Sequence, residues 1–345
     1  MECTIFDRQT DRQTDRQTDR QTDRQTDRQT DRQTDSKTFY WMRTFALIAV
    51  VMAHANYLQT DSQFLNRLIA SFSDCGVAVF FFASGAYWRW RPHAMILKHI
   101  AKLLPPWIIL GSLVYSVSVA QDGFSLTCWL FWLVGKNTYL WYLTIYIIVQ
   151  IMFSTLRIEC KGSIIICIFI TVSSRILTAC FGISGYQAFL NPLNWIGFFA
   201  AGILFRQNTN AQRKQPKHSH TVYPIVLIAV IIVCVFLDTL TPEMRLDYWA
   251  YFDCFTQFAW IGILFCISRT LVRIHGYEIG KASLPIYLLH IPVIGFMTSH
   301  MITGVLLTML MSIVVICVLY CCLLAAKKIA SMFNLEKLFA TVIRF

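Results

Sequence analysis

Ten apolar stretches recur along the chain, centred on residues 41–58, 75–90, 104–120, 139–156, 163–181, 190–205, 222–240, 250–268, 284–299 and 302–326. Each is long enough, or nearly so, to cross about 30 Å of hydrocarbon as a helix. The second and ninth are the shortest. Hydrocarbon offers no partner to a backbone N–H or C=O, so such spans must satisfy these groups internally, as α-helices. The pattern predicts an all-α polytopic membrane protein with about ten transmembrane helices. Of 345 residues only 14% are charged, where a soluble domain carries about a quarter. The first apolar stretch begins near Phe39 behind a long polar leader, so no cleavable signal peptide is expected.

The charges set an orientation. With a cytoplasmic N-terminus, the inner loops and the C-terminal tail hold seventeen Lys and Arg, and the outer loops only Arg67, Lys136 and Arg245. Asp61, Asp74, Asp122, Asp238, Glu243 and Asp247 fall on the outer side. By the positive-inside rule both termini are cytoplasmic, and the agreement across all loops supports ten spans. The net charge of +11 therefore speaks of the lipid bilayer as partner, and nucleic acid is not expected. Twelve Cys are scattered, mostly inside apolar stretches, with no CxxC pair, which gives no disulfide framework and no metal site.

Seven copies of Asp-Arg-Gln-Thr run from Asp7 to Thr34. A four-residue unit is too short to be a supersecondary element. The repeat has no apolar side chain to bury, so residues 1–37 are expected to form a disordered leader. One spelling of the unit, GAC AGA CAG ACA, is a tetranucleotide repeated three times. Such a tract encodes the same cycle in every frame, without a stop codon, and slippage by one unit shifts everything downstream. It reads as an expression switch of the phase-variation kind, with a spacer or charged tail as the alternative.

Within the first stretch, Arg43 and His54 lie eleven residues apart. Eleven steps end about 20° past three full turns, so the two share a helix face, about 16 Å apart along the axis. Ionisable side chains in a span usually face a polar cavity or partner. Singly, Arg43 suits an interfacial anchor and His54 a pore-lining histidine; the matched phase points to function. Asp253, with Gln257 one turn on, also needs a partner. It either lines an acceptor path or pairs with Arg175 of the fifth stretch. The basic, amphipathic tail over 327–345 suits the inner leaflet, leaving 38–326 as the transmembrane domain.

Arg, ten residues, then His in the first span resembles the signature of the acyltransferase-3 family of membrane O-acyltransferases. Further elements are similar in order: VAVFFFASGAYW (Val77 to Trp88), LWYL (Leu140 to Leu143), NWIGFFAAGILF (Asn194 to Phe205) and IGKASLPIYLLHIPV (Ile279 to Val293). The resemblance covers residues 38 to about 325. It departs at the family's Arg-x-x-Arg element, where LKHIAKLLPP places His99 and Lys102; Lys102 keeps charge without the planar fork of a guanidinium.

The resemblance implies transfer from cytoplasmic acyl-coenzyme A, usually acetyl-coenzyme A, to a glycan hydroxyl on the outer side of a bacterial inner membrane, without a metal. It implies Arg43, Lys98, His99 and Lys102 as donor-binding residues, with Arg43 also ordering the thioester. His54 is implied as the general base, a task that imidazole suits near neutral pH. Trp141, Asp253 and His290 are candidate acceptor-binding residues, His290 equally a structural one. Ser84 is a possible nucleophile, though Ser-Gly there suits helix packing. At this length the extracellular esterase-like domain of some relatives is not expected. A secondary transporter and a scaffold of a polysaccharide-export complex remain the alternatives; no clear inverted repeat supports the first.

Overall fold

A computed structural model describes residues 33–55, 60–119, 123–136, 138–183, 185–212, 222–241, 249–300 and 304–343. These residues contain no β-strand. The helices are α1 (33–53), α2 (Gln63–Ala86), α3 (His93–Val119), α4 (Leu126–Val134), α5 (Trp141–Thr155), α6 (Lys161–Cys180), α7 (Gly185–Phe189), α8 (Ile196–Gln212), α9 (Val222–Thr239), α10 (Asp253–Thr270), α11 (Glu278–Lys281), α12 (Ser283–His300), α13 (Val305–Met332) and α14 (Glu336–Ile343). A helix lies across each of the ten apolar stretches. The five that begin at Gln63, His93, Lys161, Asp253 and Val305 are long and apolar enough to cross a membrane. Shorter apolar helices cover Trp141–Thr155, Tyr223–Thr239 and Ser283–Met297. The protein is thus an all-α polytopic membrane protein, and side chains such as Ile165, Ile166 and Phe169 of α6 are exposed, as lipid-facing residues are. The tetrapeptide repeat lies outside the described residues except for Gln33 and Thr34, which open α1.

α2 begins well before the expected span at residue 75, where the Ser62 side chain caps it by accepting from the Leu65 N–H, a favoured N-terminal arrangement. α4 occupies part of an expected outer loop. It has nine residues between the Ser125 cap and Gly135, whose φ of 93° ends the helix. At 1.5 Å per residue it is too short to span. α13 continues through Lys327 and Lys328 before α14 begins, so the expected tail is partly the end of a long helix.

Close helix approach organises the centre. α2 packs intimately on α8: a Cβ on Gly85 would strike the Phe199 carbonyl oxygen, and one on Gly202 that of Phe82. Small residues that let backbones approach are the usual contacts between helices in lipid. The Ser84-Gly85 pair therefore has its packing role. Aromatic rings fill the adjoining space, with Phe81 stacked 5.6 Å from Trp195.

Four helices are joined by buried charges. Arg67 was expected in an outer loop, but it lies in α2 and is 0% exposed. Its Nη2 donates to Asp253 Oδ1 at 2.8 Å and its Nη1 to Asp74 Oδ2 at 3.3 Å, while its Nε lies 3.8 Å from Asp238 Oδ2. Arg175 of α6 donates to Gln257 Oε1 at 2.9 Å and lies 3.8 Å from Asp253 Oδ2. Gln257 in turn donates to Asp253 at 2.6 Å. Arg67 and Asp74 are thus corrected from loop charges, and Asp238 from an outer-side charge, to members of a buried network. A hydropathy window ends a span at charged residues, whereas these are inside because they compensate one another.

Candidate active site

The site forms where α1 meets α12. α1 can approach α2 because Gly76 faces Ala46 and Val50; a Cβ there would lie 2.8 Å from the Ala46 oxygen. The same helix carries half-buried Arg43 to a cavity of about 270 Å³. Ser84, His99, Tyr142, Lys281 and Tyr287 share the lining, on α2, α3, α5, α11 and α12 respectively. Lys281 reaches it through a glycine contact: a Cβ on Gly280 would collide with the Tyr40 carbonyl oxygen. The Lys281 Nζ lies 5.6 Å from the Tyr40 ring centroid and the Arg43 guanidinium 6.0 Å from the same centroid. Two cations therefore flank one ring at this end.

Lys281 also pairs with Glu278 at 2.7 Å, with both side chains over 40% exposed (43% and 42%). Their mutual hydrogen bond holds the Glu278 carboxyl below its ordinary range and raises the Lys281 ammonium. So exposed a pair contributes little to stability and is free to exchange partners with an incoming anion.

Farther along α1, His54 follows the last helical residue in a turn, its N–H bonded to the Val51 oxygen at 3.2 Å. Its side chain is exposed. The ring centroid lies 5.3 Å from that of His290 on α12, which is fully buried. Tyr139 packs its ring 5.4 Å from His290 and 6.4 Å from His54. Two cross-links fix this wall: the Tyr139 hydroxyl donates to the Leu288 oxygen at 2.6 Å, and the Tyr287 hydroxyl to the Tyr139 oxygen. Tyr287 thus lines the cavity and abuts His290, with 5.7 Å between centroids.

Arg43 shares the cavity lining with Ser283, Leu284 and Tyr287 near the start of α12, and His54 lies beside His290 farther along it. The cationic end can take phosphates or other anions; the imidazole end can hold or move a proton.

The other sequence candidates separate. His99 lines the cavity, whereas Lys98 and Lys102 are exposed outside its lining. Asp253 sits in the buried ionic network, with Arg67 as a closer partner than Arg175. Trp141 is buried between Phe189 and Trp195, each 4.8 Å away between centroids; the expected platform for a sugar ring is part of the core. The sequence had placed Lys281 among the inner-loop charges and within the IGKASLPIYLLHIPV element, without a role at the site. The signal was the glycine before it, which marks a close backbone approach.

A family model described as an acyltransferase domain, that of the acyltransferase-3 family, matches residues 38–327. No curated protein and no solved structure matches the chain.

Proposed function

The chain belongs to the acyltransferase-3 family, and on that premise we propose that this membrane acyltransferase takes an acyl group from cytoplasmic acyl-coenzyme A. Acetyl is the usual group, and acetyl-coenzyme A the donor. The acceptor is a hydroxyl of a cell-surface or lipid-linked glycan, on the outer side of a bacterial inner membrane. The observation that supports this most is the arrangement along α1 and α12: Arg43, His99 and Lys281 around a cavity at one end, and His54 beside His290 at the other. A donor with a phosphate-rich head and a long arm to its thioester matches such a separation.

In this mechanism Arg43 and Lys281 hold donor phosphates through charge-assisted hydrogen bonds. The arm runs past Tyr287 towards the imidazoles. His54 takes the proton of the acceptor hydroxyl as its oxygen attacks the thioester carbonyl. The carbon–sulfur bond breaks, and the departing thiolate takes the proton back from His54. The products are the ester and free coenzyme A, with no net proton gained or lost. No metal enters any step. Slippage in the tetranucleotide behind the leader repeat would then switch surface acylation on and off.

O-acetylation of surface glycan, compared between an intact strain and one lacking the gene, tests the proposal. Loss of one acetyl modification in the deletion, restored by the gene, is expected. An unchanged glycan counts against it.

A further inference from the structure

The two imidazoles differ in a way that assigns them different tasks. His290 Nδ1 lies 2.6 Å from the backbone oxygen of Tyr287. A carbonyl oxygen only accepts, so Nδ1 carries the hydrogen, and in the neutral ring Nε2 carries the lone pair. That Nε2 is buried and, among the described residues, has no hydrogen-bond partner. The residue is 0% exposed, and a buried acceptor without a donor is a cost that native structures seldom leave in place. Among the described residues the neighbouring ring able to supply a donor is that of His54, 5.3 Å away between ring centroids, in a residue that is itself exposed.

We infer that His290 is a positioning residue for the base: when substrate closes the site, His290 Nε2 accepts the ring N–H of His54. The inference rests on acyl transfer being the reaction. Catalytic hydrogen bonds are often long in an empty site and tighten on binding. Once that N–H is engaged, the second nitrogen of His54 must carry the lone pair, directed away from His290 towards the exposed side. The chain of donors then runs from His290 Nδ1–H to the Tyr287 oxygen, from His54 N–H to His290 Nε2, and from the acceptor hydroxyl to His54. The Tyr139–Tyr287 hydrogen bond keeps this wall from shifting. Fixing the tautomer of a catalytic imidazole through its other nitrogen is how buried orienting groups act in other hydrolases and transferases.

Two replacements of His290 separate orientation from packing. His290→Asn keeps a donor for the Tyr287 oxygen but has nothing at the place of Nε2. His290→Gln can present its Oε1 there as an acceptor. Labelled acetyl transfer from acetyl-coenzyme A into the glycan lipid of isolated membranes is measured for each, along with the level of protein. Wild-type transfer establishes the reaction itself, so its absence defeats the proposed function and not this assignment. The expected result is that both variants accumulate, that His290→Asn loses about 10²-fold in kcat with an unchanged KM for acetyl-coenzyme A, and that His290→Gln recovers part of that loss. Transfer at the wild-type rate in His290→Asn overturns the assignment. So do two variants that accumulate equally and are equally slow, or two that both fail to accumulate, since either result makes His290 a packing residue.

Discussion

His54 and His290 stand with ring centroids 5.3 Å apart, the first exposed and the second entirely buried. Their contact joins the first span to a helix more than two hundred residues later in the chain. Arg43 and Lys281 are joined in the same way at the opposite end, across the Tyr40 ring. The site is thus the seam between α1 and α12, and each half can be tested separately.

Arg43→Lys tests the anion end. A point charge cannot replace the bidentate contact of a guanidinium with phosphate. Hydrogen bonds to charged groups are worth about 1.5–3 kcal/mol, so the KM for acyl-coenzyme A should rise by roughly 10- to 100-fold. Steady-state kinetics on membranes at varied donor concentration measures it. An unchanged KM returns Arg43 to the role of interfacial anchor.

Gly280→Ala tests how Lys281 reaches the cavity. The added methyl meets the backbone oxygen of Tyr40, which a side-chain rotation cannot relieve. Overpacking of this kind costs about 1–3 kcal/mol, and the displacement moves Lys281 away from Arg43. Lower thermal stability together with a raised KM for the donor is expected. Wild-type values for both would show that the α1–α11 contact is loose.

Much of this site was legible in the sequence, and its gaps have physical causes. Arg43 lies in α1 and His54 in the turn directly after it, so the helical period brought the pair to notice although the helix stops one residue short. Lys281, Tyr287 and His290 converge on them from a distant segment, and no period in a single chain reports that. Hydropathy found a helix for every apolar stretch but misread Arg67, because compensation by Asp238 and Asp253, more than 150 residues away, leaves no local trace. Trp141 shows a related limit: an aromatic ring in a span is the same letter whether it faces a ligand or fills a core.

Asp253→Ala tests the buried network. Removing one partner of a buried ion pair leaves the other charges uncompensated, at a cost of about 3–5 kcal/mol. The variant should accumulate poorly and melt early, since Asp253 holds both Arg67 and Gln257. Normal accumulation with selective loss of transfer would instead move Asp253 to the acceptor path.

In-frame deletion of Asp7 to Thr34 should leave transfer intact, because the repeat has no apolar side chain with which to pack on the helices. Gain or loss of one tetranucleotide should abolish or restore expression, because the downstream frame moves. Repeat number and glycan acetylation in sibling colonies check the second expectation. A deletion protein that is inserted and stable yet inactive would give the repeat a role as protein.

The most direct measurement follows label from acetyl-coenzyme A into glycan in membranes that carry either the wild-type protein or His54→Ala at equal level. Label should enter glycan with the wild type and fall by about 10²- to 10⁴-fold with the variant, the range that general-base catalysis supplies. Equal incorporation by both would contradict a catalytic His54, and with it the site between α1 and α12.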